Sequence, residues 1–169
     1  MAHRLLLLRH AKSCWDDPAL ADHDRPLAKR GRRAAEGVGE HLRDAGLRPG
    51  LVICSPSRRT RETLELLSLD GPEVRLEDAV YEASERDLTG VVRGLPEAVE
   101  SVLLIGHNPA MGDLAARLCG QDRTEAAGRL REKFPTGALA VFETDKTWRD
   151  LEPSGTRLVS FRTPRNPDG

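Results

Sequence analysis

The sequence predicts a three-layer α/β/α sandwich with a mostly parallel central sheet flanked by helices. Three observations carry that reading. Short unbroken apolar runs at Arg4 to Leu8, Leu51 to Cys54 and Val102 to Ile105 suit strands buried on both faces. Each run passes through a polar segment into a stretch of helical spacing, the alternation expected of helices covering a sheet. No internal repeat or interdomain linker interrupts the 169 residues, so residues 1–169 are expected to form one domain.

Taken in order, the first strand runs from Arg4 to Leu8, and the polar, proline-broken SCWDDPALADHDRP that follows reads as a loop. Leu27 to Ala45 is rich in Ala, Arg, Glu and Leu, places Ala35, Val38 and Leu42 at helical spacing, and meets Gly46 as a stop. The second strand, Leu51 to Cys54, leads into Ser55-Pro56, an N-cap and first-turn proline for a helix through Leu64 and Leu67. A short strand at Val74 to Leu76 and a helix from about Ser84 to Leu95 come next. Val102 to Ile105 repeats the strand-to-helix pattern, with Asn108 as cap, Pro109 as first helical residue, and Leu114 and Leu118 on the helix. After Pro135, the runs Ala138 to Glu143, Trp148 to Leu151 and Arg157 to Phe161 read as late strands, antiparallel at one edge. The tail TPRNPDG, from about residue 163, is expected to fray.

The composition, 38% apolar and 31% charged, is that of a folded globular chain rather than a disordered one. With 26 basic against 27 acidic residues the net charge is -1, so no overall field attracts nucleic acid or an anionic membrane, and 4% aromatic content offers little for base stacking. Apolar runs such as Leu5 to Leu8 are far short of the roughly 20 residues of a membrane span or the 7 to 15 of a signal-peptide core. A cytoplasmic location is expected. Cys14, Cys54 and Cys119 are odd in number, widely spaced and without C-x-x-C, which suggests reduced thiols. Cys14 begins no C-x5-R phosphate loop. The sequence specifies no oligomeric state.

In an open α/β sheet, ligands bind beyond the carboxyl ends of the strands. Three such ends carry Arg9-His10, then Ser55-Pro56-Ser57-Arg58-Arg59, then His107-Asn108. Two helix N-termini there would add backbone N–H donors and positive dipole ends, and arginine adds a planar fork matched to phosphate oxygens. Phosphate is the expected ligand. Neighbouring cations favour neutral imidazole, whose lone pair can attack phosphorus, so His10 is the candidate nucleophile and water would hydrolyse the resulting phosphohistidine. Taken singly, each histidine also fits a structural role, and the Arg58-Arg59 pair also fits a solvated helix face.

LLLLRHAKS, ICSPSRRTRET and LLIGHNP, in that order, resemble the histidine phosphatase superfamily, with its Arg-His-Gly type motif at the end of the first strand. DHDRPLAKRG and FPTGALAVFE, in so short a chain, resemble the phosphohistidine phosphatases of the SixA type. The resemblance implies a phosphoglycerate mutase-like fold. It implies that Arg9 binds phosphate, that His10 is the nucleophile, and that Arg59, at the last position of S-P-x-x-R, is the second phosphate-binding arginine, with Arg58 its surface neighbour. It also implies that His107, in G-H-N, stabilises the transition state. Ala11 departs from the usual glycine, which the chemistry tolerates if the backbone there needs no positive φ. For a general acid the resemblance points to Glu82, with Glu85 second. Arg25, Ser13 and Asn108 are expected at the substrate. No magnesium-type carboxylate cluster is evident, so no metal or other cofactor is expected. The expected activity is that of a metal-independent hydrolase acting on a phosphohistidine protein. The alternatives are a phosphomonoesterase for sugar phosphates or nucleotides, and a non-catalytic phosphate-binding module.

Overall fold

A computed structural model describes residues 2–167, arranged as β1 (His3–Arg9), α1 (Lys29–Asp44), β2 (Leu51–Cys54), α2 (Arg58–Leu67), β3 (Glu73–Leu76), α3 (Glu85–Arg93), β4 (Ser101–Gly106), α4 (Ala110–Cys119), α5 (Glu125–Glu132), β5 (Leu139–Thr144) and β6 (Thr156–Arg162). The six strands form one sheet in the order β3-β2-β4-β1-β5-β6. β1 to β4 pair in parallel, while β5 runs antiparallel to β1 and β6 antiparallel to β5. The fold is thus the expected mostly parallel sandwich with an antiparallel edge.

The leucine run is unbroken because both faces of β1 are covered and neighbouring side chains point to opposite faces. Leu5 and Leu7 pack with Leu104, Leu114 and Phe142 on the side of α3, α4 and α5, whereas Leu6 and Leu8 pack with Val38, Leu42 and Leu67 on the side of α1 and α2. Burying each leucine contributes about 1.5–3 kcal/mol. β1 is also hydrogen-bonded along both edges, to β4 and β5. At its end the Arg9 N–H donates to the Ala138 carbonyl (3.0 Å) and the His10 N–H to the Gly106 carbonyl (3.1 Å). The strand therefore fixes where its last two side chains emerge.

Helix α1 lies unusually close to its neighbours. A Cβ at Gly31 would overlap the Lys12 carbonyl, and one at Gly39 would overlap the Leu67 carbonyl. The Gly31 contact presses the helix directly onto the segment that follows His10.

Several expectations need correction. Trp148 to Leu151 is a turn rather than a strand, because Trp148 and Leu151 are buried at a three-residue spacing and the Trp148 Nε1–H donates to the Val99 carbonyl (2.7 Å). Helix α5 was not anticipated. Its start is marked by Thr124, whose hydroxyl accepts from the Ala127 N–H (3.2 Å), and its inner face by Ala127 and Leu130. Helix α2 begins at Arg58, after Ser57, not at Ser55-Pro56, since the Ser55 hydroxyl is turned to His107 and accepts from the Ser57 N–H. Helix α4 begins one residue late, at Ala110, although the Asn108 side chain still caps it by accepting from the Gly112 N–H (3.0 Å). Over residues 163–167 the chain forms a turn in which Thr163 and Asn166 pair through their backbones and the Arg162 Nε–H donates to the Pro167 carbonyl. Residues 168 and 169 lie outside the described residues. Among the described residues no helix is long and apolar enough to cross a membrane.

Candidate active site

Beyond the carboxyl ends of β1, β2 and β4 lies a cleft of about 300 Å³, lined by Arg9, His10, Ser13, Arg25, Arg59 and His107 among others. The polar loops after the three strands converge there because each strand is held in register with its neighbours, Arg9 opposite Gly106 and Cys54 opposite Ile105.

His10 is 6% exposed, and its Nδ1 lies 2.7 Å from the Ala11 carbonyl. A carbonyl only accepts, so Nδ1 carries the proton and the lone pair sits on Nε2. Burial pushes the imidazole down to about 3, outweighing the raising effect of the Ala11 carbonyl, and His107, Arg59 and Arg9 lower it further. The neutral state expected from neighbouring cations is therefore set first by burial. Ala11 is buried, does not have a positive φ, and donates its N–H to the Thr63 hydroxyl (3.1 Å), so alanine fits where a glycine is usual.

The ring of His107 stands 5.2 Å from that of His10. Its Nδ1 accepts from Arg59 Nη2 (3.4 Å), which leaves the proton on Nε2 to donate to the Ser55 hydroxyl (2.8 Å). Burial and then Arg59 lower this imidazole to about 4.

The arginines are held from behind. Arg59 donates from Nη1 to the Asp22 carbonyl (2.7 Å) and from Nη2 to Asp22 Oδ2 (3.0 Å). Arg25 donates from Nε and Nη2 to Asp22 Oδ1 and from Nη1 to the Ser13 hydroxyl (3.0 Å), with its guanidinium 3.4 Å above the centre of the Trp15 ring. Arg9 donates from Nη1 to the Phe134 carbonyl (3.2 Å), and burial with nearby Arg59 lowers it from its ordinary value. Asn108 lines the cleft too, yet its amide is committed to the fold, donating to the same Phe134 carbonyl (2.7 Å) and accepting from Gly112.

Asp22 was missed by sequence reasoning and is the hub of this arrangement. Its carboxylate accepts from Arg59, Arg25 and the Tyr81 hydroxyl (2.6 Å), and the Tyr81 bond together with the arginines holds it down to about 2, against the opposing effect of burial. The available signal was its place three residues before Arg25 within DHDRP. In Val80-Tyr81-Glu82 the side chain turned to the site is that of Tyr81, the chain's single tyrosine, whose ring also packs edge-on against His107. Glu82 is exposed and does not line the cleft, and Glu85 is engaged by Arg117 (3.0 Å). Arg58 is exposed and paired with Glu62. Among the described residues no Asp or Glu lines the cleft, and no group of three His, Cys, Asp or Glu side chains could hold a metal. Among the described residues the cleft therefore presents four cations, Arg9, Lys12, Arg25 and Arg59, beside the imidazoles of His10 and His107.

Residues 5–101 match the family model of the histidine phosphatase superfamily (branch 1). An uncharacterized protein of Mycobacterium tuberculosis is 38% identical over 160 residues, covering 94% of this chain and all of its own. A structure from Nakamurella multipartitia, provisionally assigned as the phosphohistidine phosphatase SixA, superposes with a TM-score of 0.87 at 32% identity, covering 97% of both chains. The protein histidine phosphatase SixA complexed with tungstate superposes with a TM-score of 0.76 at 25% identity, covering 96% of this chain and 98% of that one.

Proposed function

Because the chain belongs to the histidine phosphatase superfamily and is a phosphatase, we propose that it removes phosphoryl groups from phosphohistidine in proteins, through a phosphoenzyme formed on His10. The Nε2 lone pair attacks phosphorus in line with the departing nitrogen of the substrate imidazole. As the new P–N bond forms, the substrate's P–N bond breaks and its ring, protonated on the other nitrogen, leaves as neutral imidazole with the P–N electron pair. Water then attacks the phosphoryl group on His10, the P–N bond breaks, and phosphate leaves with the lone pair back on Nε2. Arg9, Arg59 and Arg25 offset the charge on the transferring group without a metal, and His107 supports it from the side.

The observation that carries the substrate class is the cleft's lack of an acid. Asp22 is held ionised near pKa 2 by three donors, and Glu82 faces solvent, so the described residues place no protonated carboxyl beside a leaving group. An alkoxide, of very high pKa, needs that proton in the transition state, whereas imidazole, with a pKa near 6.5, leaves without it. SixA, the protein histidine phosphatase among the similar structures, supports the same class. The thiols of Cys14, Cys54 and Cys119 are free, which supports a reducing compartment such as the cytoplasm.

The test is a substrate panel in the presence of EDTA. The expected kcat/KM for a phosphohistidine peptide exceeds that for a sugar phosphate or alkyl phosphate by at least about 100-fold, the range a general acid supplies. Comparable turnover of an alkyl phosphate, lost in Glu82→Gln, would establish a small-molecule phosphatase instead. Loss of activity in EDTA would contradict the metal-free account.

A further inference from the structure

Beside the catalytic cleft runs a larger groove of about 820 Å³, within the range of ligand-binding pockets, about 300–1,000 Å³. It lies between α1, the end of α5 and the segment Phe161 to Asn166, and it shares Arg9, Lys12 and Thr136 with the cleft. We infer that this groove docks an acidic stretch of the protein substrate, next in sequence to the phosphorylated side chain that enters the cleft. This inference rests on the reading of the site as a protein phosphatase.

The charge of the groove is one-sided. It is lined by eight of the chain's 26 basic residues and, among the described residues, by no Asp or Glu, in a protein whose net charge is -1. Lys12, Arg30, Arg33, Lys133 and Arg165 have no ion-pair partner among the described residues. Elsewhere on the surface arginines do find carboxylates: Arg58 meets Glu62, Arg75 meets Glu73 and Arg117 meets Glu85. Such segregation leaves a positive potential where the groove opens into the cleft, and clefts lined by one sign of charge concentrate ligands of the other.

The placement of two of these cations also runs against local stability. Arg30 and Arg33 sit in the first turns of α1, which carry no acidic residue, at the end where the helix dipole favours anions. A local choice that opposes the fold marks a functional demand. Burial is no explanation, since both arginines are exposed.

Chemistry selects the occupant. A small phosphate ester fills the cleft near His10 and leaves the groove empty, whereas a polypeptide entering the cleft has flanking residues to lay along it. Ala34, Pro135 and Pro164 supply apolar surface for its backbone. Single-stranded nucleic acid would need exposed rings for stacking, but Phe161, the one aromatic side chain lining the groove among the described residues, is 1% exposed.

The experiment uses the full chain, wild type and Arg30→Ala/Arg33→Ala/Arg165→Ala, with fluorescence anisotropy of a labelled Glu/Asp-rich decapeptide, a neutral decapeptide and a single-stranded decanucleotide. The acidic peptide is expected to bind best, to weaken steeply with added salt, and to lose about tenfold in affinity in the triple variant. p-Nitrophenyl phosphate turnover is expected to be unchanged in that variant. In parallel, phosphohistidine peptides with acidic and neutral flanks are compared as substrates, and the acidic flank is expected to lower KM in wild type only. Equal binding of the acidic peptide by wild type and variant, tighter binding of the oligonucleotide, or equal KM for the two flanks overturns the inference. Peptide binding that follows the arginines while no phosphohistidine peptide is hydrolysed would instead uphold the acidic-segment site and reject the phosphohistidine reading.

Discussion

The proposed nucleophilic role of His10 rests on two effects of its surroundings, one that keeps the ring neutral and one that fixes its tautomer. Burial keeps the imidazole neutral, with its pKa lowered to about 3, and the Ala11 carbonyl accepts from Nδ1–H, so the lone pair is left on Nε2. The pH profile of kcat/KM on p-nitrophenyl phosphate, corrected for substrate ionisation, is therefore expected to stay flat from pH 8 to about 5 and to fall only as His107 and His10 protonate, near 4 and 3. An enzyme-borne ionisation near 6.5 would contradict this assignment. Asp22 accepts from Arg25 and Arg59 and does not itself line the cleft. Asp22→Asn removes a charge that holds both guanidiniums, and a displacement of about 1 Å at the reacting groups costs on the order of 100-fold in rate. The loss is expected mainly in kcat/KM, with thermal stability little changed because Asp22 is half exposed. Steady-state kinetics beside a melting curve checks both.

At the scale of elements, one helix offers an internal comparison. Gly31→Ala and Gly39→Ala each push a methyl into a backbone carbonyl, and overpacking of that kind costs about 1–3 kcal/mol. Gly39 meets Leu67, at the far end of α2, whereas Gly31 meets Lys12, two residues after His10. Both variants are expected to melt earlier, and only Gly31→Ala is expected to lose kcat as well. The strands, and with them the floor of the site, were legible in the sequence because β1, β2 and β4 are covered on both faces and so read as unbroken apolar runs. The placement of Arg9, His10 and His107 at the cleft was legible for the same reason, since they end or directly follow those runs, whereas Arg59, five residues beyond Cys54, was singled out over Arg58 only by the resemblance. Asp22 and Tyr81 were not, because they reach the site from loops whose path depends on tertiary contacts. Trp148 to Leu151 misled because four residues cannot separate a short strand from a buried turn.

The whole molecule ties activity to acid stability. A neutral histidine buried in the fold binds its proton more weakly than in the unfolded chain, where the pKa is near 6.5. The stability it confers is fully present above that value and is lost as pH falls from about 6.5 toward 3. At about 1.4 kcal/mol per pKa unit, the loss from His10 alone amounts to several kcal/mol. The Asp22 carboxylate, with its pKa lowered to about 2, contributes a smaller loss below about pH 4 because its side chain is half exposed. Denaturant midpoints are thus expected to fall steeply between pH 6.5 and 3 in the wild type and less steeply in His10→Asn. Parallel curves for the two proteins would show that His10 is not held neutral by the fold.

The central claim is that phosphoryl passes through Nε2 of His10, and rapid-quench trapping with a radiolabelled phosphohistidine peptide tests it most directly. The wild-type chain is expected to acquire an acid-labile, base-stable label that peptide mapping places on His10, while His10→Ala acquires none and turns over substrate at least about 1,000-fold more slowly. Undiminished turnover by His10→Ala, or a label on any other residue, would contradict the account.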